Sequence, residues 1–322
     1  MAYAEKDYDR ALRLFQAAES AGMADSRMLA WKGRLLFAMG RYQQAATLNE
    51  QLMKLDPKNG VPEQERWFAL MELHQPQEAM RVAGLETVAV GREALRNAVR
   101  SMFGGDRMAF EAMNKSSASV PLDTPDHVDA FLGQFVVVGL QYLGRYNEAR
   151  QAIDRANVRT VRLTNLDWPG RRIGRSPIAD LRGWLDLLMA DAPEARRDSQ
   201  HILEFLKSAP QTKWNEWFHT LLRADAQLFA GDREAAIETA DRAVAITRAS
   251  ADVSDQTDAF IWATQIRAWA GAQDEATARL ETLASSVPGL WPGEIFLDPL
   301  WKCTVGAECT LTSDCVRASM WN

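Results

Sequence analysis

Ala11, Ala45 and Ala79 stand 34 residues apart, and Tyr8 and Tyr42 keep the same spacing. An interval shared by a small residue and an aromatic one is an internal repeat, and this period fits a pair of helices stacked on the next pair. No other feature constrains the chain as much, because one helix pair cannot bury both of its faces and needs neighbours to do so. The best-formed unit runs from Leu29 to Pro57. It reads as two amphipathic helices with a tight turn at Gly40-Arg41, the second opening at Tyr42 and stopping at Pro57.

The residue types suit that geometry. A small side chain at Ala45, and again at Ala11 and Ala79, lets the second helix approach the first closely. Gly33 is expected to do the same from the facing side, at a cost of roughly 1 kcal/mol in helix propensity that packing must return. Leu29, Leu35, Leu36, Leu48, Leu52 and Leu55 provide the apolar stripe at helical spacing.

The rhythm continues with variations. A second helix from about Tyr8 to Ser20 stands without a full first helix before it, so the first unit is expected to be truncated. A third unit spans about Pro62 to Gly84, with Pro76 tolerated at the opening turn of its second helix. A weaker fourth unit has helices at Arg92–Met102 and Arg107–Asn114, joined through Gly104-Gly105-Asp106, and a Ser/Pro loop containing Ser116, Ser117, Ser119 and Pro121 follows. The fifth has Asp126 to Leu143 as first helix and Ala149, Ile153 and Ala156 in the second. The later units pair Ile178–Ala190 with Pro193–Lys207, Trp214–Ala230 with Arg233–Arg248, and Thr257–Ala270 with Asp274–Ser285. Spacings of 46, 41 and 40 among Ala149, Ala195, Ala236 and Ala276 make this half looser than a strict 34.

Leu29, Gly33, Leu36, Tyr42, Ala45, Leu52 and Pro57 together resemble a tetratricopeptide repeat. Asn49 departs from the large aromatic expected there, whereas Phe15 one period earlier keeps it. The Leu297-Asp298-Pro299-Leu300-Trp301 string resembles the end of the repeat region in bacterial multidomain regulators, where a receptor-like kinase, a nucleotide cyclase or a winged-helix domain precedes the repeats. The resemblance implies an all-α, helix-turn-helix repeat solenoid, a right-handed superhelix of seven to eight helix pairs that acts as a non-catalytic scaffold for a protein or peptide. The alternative it implies is a partner- or ligand-sensing region of a regulator whose effector domain lies outside this chain. The expected organisation is repeats over 1–156, a basic irregular loop over 157–176, repeats with a closing segment over 177–301, and an unstructured cysteine-bearing tail over 302–322.

Composition narrows the classes further. Apolar residues at 47% and charged residues at 25% are ordinary for a globular chain. The net charge of −6 argues against a general nucleic-acid surface. No apolar run reaches membrane-spanning length, and Met1 to Asp7 has neither the basic nor the apolar region of a signal peptide. Cys303, Cys309 and Cys315 are the three cysteines, an odd number confined to the last residues, which points to a reducing cytoplasm.

Nothing in the sequence assembles into catalytic, cofactor or metal chemistry. His201 and Glu204 lack the second histidine of a zinc-binding helix. Asp198, Ser199 and His201 are near-consecutive on a helix and point in different directions, so they cannot act as a triad. Gly104-Gly105-Asp106 has no phosphate-loop spacing, and the three cysteines lack the short paired spacing of structural zinc. The expectation is a protein with no enzymatic activity, no cofactor and no metal.

Two regions are candidates for recognition. The 157–176 loop sets Arg159, Arg162, Arg171, Arg172 and Arg175 against Asp167 alone, with Trp168 as a stacking face. Arginine forks suit carboxylates and phosphates, so these side chains either meet an acidic partner or pair with acidic helices nearby. In the family resembled, the first helices line a groove, and its partner-contacting positions fall here on Arg34, Gln134, Tyr142, Trp184, Asp225, Gln265 and Trp269. Trp31, Trp67, Trp214 and Trp262 sit on apolar faces and are expected in the core.

Overall fold

A computed structural model describes residues 7–85, 89–118, 137–164, 172–212, 215–286, 290–291, 295 and 298–301. The chain runs through α1 (Tyr8–Ser20), α2 (Ser26–Ala38), α3 (Tyr42–Leu55), α4 (Val61–Glu72), α5 (Pro76–Ala83), α6 (Ala89–Gly104) and α7 (Arg107–Ala118). It continues with α8 (Val138–Tyr142), α9 (Tyr146–Ala156), β1 (Thr160–Thr164), β2 (Arg172–Pro177), α10 (Ile178–Leu188) and α11 (Ala192–Ser208). Then follow α12 (Glu216–Ala230), α13 (Arg233–Arg248), α14 (Val253–Trp269), α15 (Gln273–Ser285) and a single 3-10 turn, Pro299–Trp301. Each helix packs on its sequence neighbour, and first helices of successive pairs also touch: α2 on α4, α10 on α12, α12 on α14. The fold is thus an all-α stack of helix pairs, a tetratricopeptide-like solenoid, as the period implies.

Two local devices set the pairs. Aspartate starts many helices: Asp7, Asp25, Asp191, Asp232 and Asp252 each accept a hydrogen bond from the backbone N–H three residues on, satisfying an otherwise orphaned donor. Every hairpin then turns on one residue in the left-handed region: Gly40, His74, Gly105, Gly144, Ala190, Gly231 and Gly271. Next to six of these, a backbone N–H reaches back five residues, as from Arg41 to Leu36 and from Asp232 to Gln227. This closure ends a helix and reverses the chain. Glycine adopts that conformation without strain; His74 and Ala190 do so against the Cβ.

The repeat-position alanines are where packing is tightest. Ala45, Ala79, Ala149, Ala195, Ala236 and Ala276 are essentially without exposure. Gly33 is different from expectation: a Cβ there would meet only the Asn49 amide, at an ordinary 3.5 Å. The small Asn49 that replaces a bulky aromatic leaves that room. The true close approach is at Gly183, where a Cβ would lie 2.2 Å from the Phe229 ring. There α10 and α12 are brought together by the absence of a side chain.

Several boundaries depart from the sequence reading. The 157–176 segment is no irregular loop throughout: β1 and β2 pair antiparallel, with Val161 opposite Ser176 and Leu163 opposite Gly174. Thr160, Val161, Thr164 and Ile173 supply the β-branched side chains that favour strands. Val161 joins Leu140, Ala149, Ile153, Ile178 and Leu185 in one buried cluster, so the core runs through the hairpin. Helix α7 extends through Ser116 and Ser117, and α14 begins at Val253 because Asp252 caps it there. Most of the expected first helix of the fifth unit, Trp214 and the cysteine-bearing tail lie outside the described residues.

Candidate recognition surface

Six of the seven groove positions are described, and they fall in three places: one cluster in the C-terminal half, Tyr142 on α8 and Arg34 on α2. Trp184 on α10, Asp225 on α12 and Trp269 on α14 form one cluster, drawn together because successive first helices stack. Trp184 meets Phe229 edge-on at 5.6 Å between ring centres and Trp269 at 6.3 Å. The Asp225 carboxylate accepts from Trp262 Nε1 at 3.1 Å and from the Trp184 side chain. Trp269 Nε1 donates to the Leu300 carbonyl, and Gln265 Nε2 to Asp298 Oδ2 at 2.9 Å. Asp225, Trp184 and Trp269 are interior, at 0%, 6% and 6% exposure, whereas Trp262 and Gln265 are half-buried. In this structure the three side chains are enclosed by neighbouring helices and do not line an open groove. Stacked first helices close over positions that an open groove would present.

The same cluster holds a residue the sequence reading missed. Asp180 lies one helical turn before Trp184, with 2% exposure, and its side chain hydrogen-bonds that of Asp225 as well as the Ser176 hydroxyl. Burial pushes the Asp180 carboxyl up to about 6, and burial with the adjacent Asp180 charge raises Asp225 well above the usual carboxylate range. Two acceptors facing each other need a shared proton, so the pair is a carboxylic acid bonded to a carboxylate. A four-residue spacing of Asp and Trp on one helix face was the available signal.

Tyr142, at the end of α8, is also buried, stacked on Phe110 at 5.3 Å. It joins α7 to α8 through that stacked pair. Arg172 opens β2 opposite Thr164, with its guanidinium outside the described side chains. Gln134, Trp168 and Arg171 lie outside the described residues.

Arg34 stands apart from these. It is half-buried on α2, donates from Nε to Glu65 Oε1 of α4 at 2.8 Å, and lays its guanidinium 4.9 Å over the Trp31 ring. Trp31, expected in the core, is 42% exposed; it stands between Arg34 and Leu35 around α2, at the edge of the apolar stripe. Arg27, four residues before Trp31, is exposed as well. Glu65 is buried, and desolvation raises its carboxyl despite the arginine. An exposed indole with one guanidinium over its ring and a second exposed arginine one turn earlier on the helix suits a chain segment bearing apolar and acidic side chains.

The catalytic candidates disperse. His201 and Glu204 are exposed on α11. Asp198 forks with Arg182, and the Ser199 hydroxyl donates to the Ala226 carbonyl, so both are spent on packing. Among the described residues no group of three or more His, Cys, Asp or Glu side chains is placed to hold a metal, and no helix is long and apolar enough to cross a membrane.

A family model described as a tetratricopeptide repeat matches residues 2–73, the stretch that holds α1 to α4. Among curated proteins none matches the chain. The N-terminal stretch is therefore similar to repeats that mediate protein–protein interaction, and all-helical repeats of this type are typically non-catalytic.

Proposed function

We propose that the chain is a non-catalytic scaffold that holds a protein or peptide segment against the first helices of its N-terminal pairs. The observation that carries this is the exposed Trp31 ring beside Arg34 on α2, in the stretch similar to the interaction repeat. Large aromatics and arginines dominate interface energetics. Arg27 and Arg34 favour an acidic segment, and the arginines of the β1–β2 region, Arg171 and Arg172 among them, would steer it by long-range attraction that salt screens. A net acidic chain with this arrangement suits a protein partner better than nucleic acid.

A second reading deepens the first: the chain is the sensing region of a bacterial signalling or transcription regulator in the cytoplasm, with its effector domain outside these residues. Its support is the closing string. Asp298 accepts from Leu300 N–H at 2.9 Å and Pro299 opens the turn, the arrangement that starts a helix. Trp269 and Gln265 hold that turn on α14.

The test is capture of partners from a bacterial lysate, followed by association and dissociation kinetics with variants. Trp31→Ala is expected to weaken binding by ~2 kcal/mol, mainly through faster dissociation. Arg34→Ser and Arg171→Ser/Arg172→Ser are expected to slow association and flatten its salt dependence. Unchanged kinetics in all three variants would overturn the assignment.

A further inference from the structure

The two ends of the stack touch. Tyr8, the first residue of α1, donates its hydroxyl to Asp252 Oδ2 at 2.6 Å, across 244 residues of sequence. Both residues are buried, at 3% and 2% exposure. Asp252 is also the residue that caps α14, its other oxygen accepting from Asp255 N–H. Beside this bond, the α2–α3 turn meets the start of the same helix. Val253 packs onto Gly40 so closely that a Cβ on the glycine would stand 3.1 Å from one Val253 methyl and 3.3 Å from its Cβ. Trp291, which follows α15, is buried in the cluster that otherwise belongs to the N-terminal helices, with Tyr8, Phe37 and Tyr42.

A stack of pairs in which each touches only its neighbours has no such contact. Here the circuit returns on itself, and its seam is made of a few side chains. By contrast, adjoining pairs share continuous buried faces such as Ala195 to Phe229 or Ala45 to Leu70. Among the described residues, the Tyr8–Asp252 bond, the Gly40–Val253 contact and the Trp291 indole mark this junction, which joins elements distant in sequence. Local opening occurs first where buried apolar contacts are few.

We propose that this seam is a latch. It closes the circuit of helix pairs at rest, and it opens without unfolding any pair. Opening uncovers the sides of the first helices that the closed circuit shields. That last step rests on the scaffold reading above; the latch itself does not.

The geometry gives a direct test in the full chain. With Cys303, Cys309 and Cys315 changed to Ser, the double variant Gly40→Cys/Val253→Cys places two thiols at a separation suited to a disulfide. Mild oxidation is expected to link the two within one molecule nearly completely, with unchanged helical circular dichroism. A chain that stays helical but does not link would overturn the closure. Because Gly40 takes a positive φ, a second variant leaves it in place. Val253→Arg is expected to enlarge the radius of gyration in small-angle scattering by a tenth or more, with helix content retained. An unchanged radius would overturn the latch. The apolar dye anilinonaphthalene sulfonate reports the uncovered surface: its fluorescence is expected to rise at least twofold in Val253→Arg and to stay at the wild-type level in the linked form. A larger radius without that rise would overturn the uncovering of the first helices while leaving the latch. Failure of the scaffold reading would show separately, as partner kinetics indifferent to Trp31→Ala.

Discussion

The strict N-terminal repeats and the loose C-terminal ones differ in how much apolar surface they leave outside. The stretch from α1 to α5, at a period of 34, leaves Leu14, Met23, Trp31, Leu55 and Val61 exposed. Helices α10 to α15, with stretched spacings, expose one large apolar side chain among those described, Leu203; both halves enclose carboxylates, Glu63, Glu65 and Glu72 on α4, and Asp180, Asp186 and Asp225 on α10 and α12 with Asp298 in the closing turn. Regular repeats stack with a uniform seam and keep apolar surface available on the outside. In the irregular units the first helices approach until their groove-side positions become core, and any acid there must find a proton, an arginine or a backbone donor. Asp186 uses Arg150 at 2.6 Å, Asp180 and Asp225 share a proton, and Asp298 uses Gln265 and the Leu300 N–H.

The sharpest contrast lies in two glycines at matching places in their units. Gly183→Ala drives a methyl into the Phe229 ring and is expected to destabilise by ~3 kcal/mol or more, read as a drop in the urea midpoint. Gly33→Ala meets only the Asn49 amide and is expected to be neutral or to stabilise by up to ~1 kcal/mol through helix propensity. Equal losses for the two would remove the difference between the halves.

Most of the architecture was legible in the sequence for a physical reason. Alanines at a fixed period and glycines at hairpin turns report backbone geometry that few other residues satisfy, so the pairs and their order follow from them. Two hairpins were harder because His74 and Ala190 occupy the left-handed position without the glycine that signals it. The recognition surface was legible in part. Motif position placed Trp184, Asp225 and Trp269 on a groove, but position says nothing of how far neighbouring first helices close. That distance depends on Gly183 facing Phe229, a pair 46 residues apart. Trp31 falls on an apolar helix face, one turn from Leu35, yet it sits at the edge of that stripe with Arg34 over its ring, and periodicity alone does not report such an edge.

Within the N-terminal half, the alanine seam can be broken directly. Ala45→Trp is expected to cost ~1–3 kcal/mol by overpacking, while Gln44→Trp on the exposed side should leave the melting temperature near that of the parent.

The buried acids make the C-terminal half sensitive to pH. Burial raises Asp180 to about 6 and Asp298 to about 7, so the folded chain holds more protons than the unfolded one from about pH 4, where free aspartate titrates, up to those values. Stability contributed by these groups is full below that window and is lost as pH rises through it. Urea midpoints should fall between pH 5 and pH 7.5, and Asp298→Asn should flatten part of the slope by ~1 kcal/mol. A midpoint that rises over that range would contradict the shared-proton pair.

The smallest effect concerns a turn. Ala190→Gly relieves a left-handed alanine at the α10–α11 hairpin and is expected to stabilise by ~0.5–1 kcal/mol, visible as a small rise in melting temperature. The same change at Gly231, already relieved, has no counterpart.

Amide hydrogen exchange resolved by helix tests the central contrast most directly. The account predicts the slowest exchange in α12, enclosed by α10, α13 and α14, and the fastest among the helices in α1 and the exposed side of α2, with α2 gaining protection when a captured partner is added. Exchange in α12 as fast as in α2, or protection by the partner that falls on α10 and α12 instead, would contradict it.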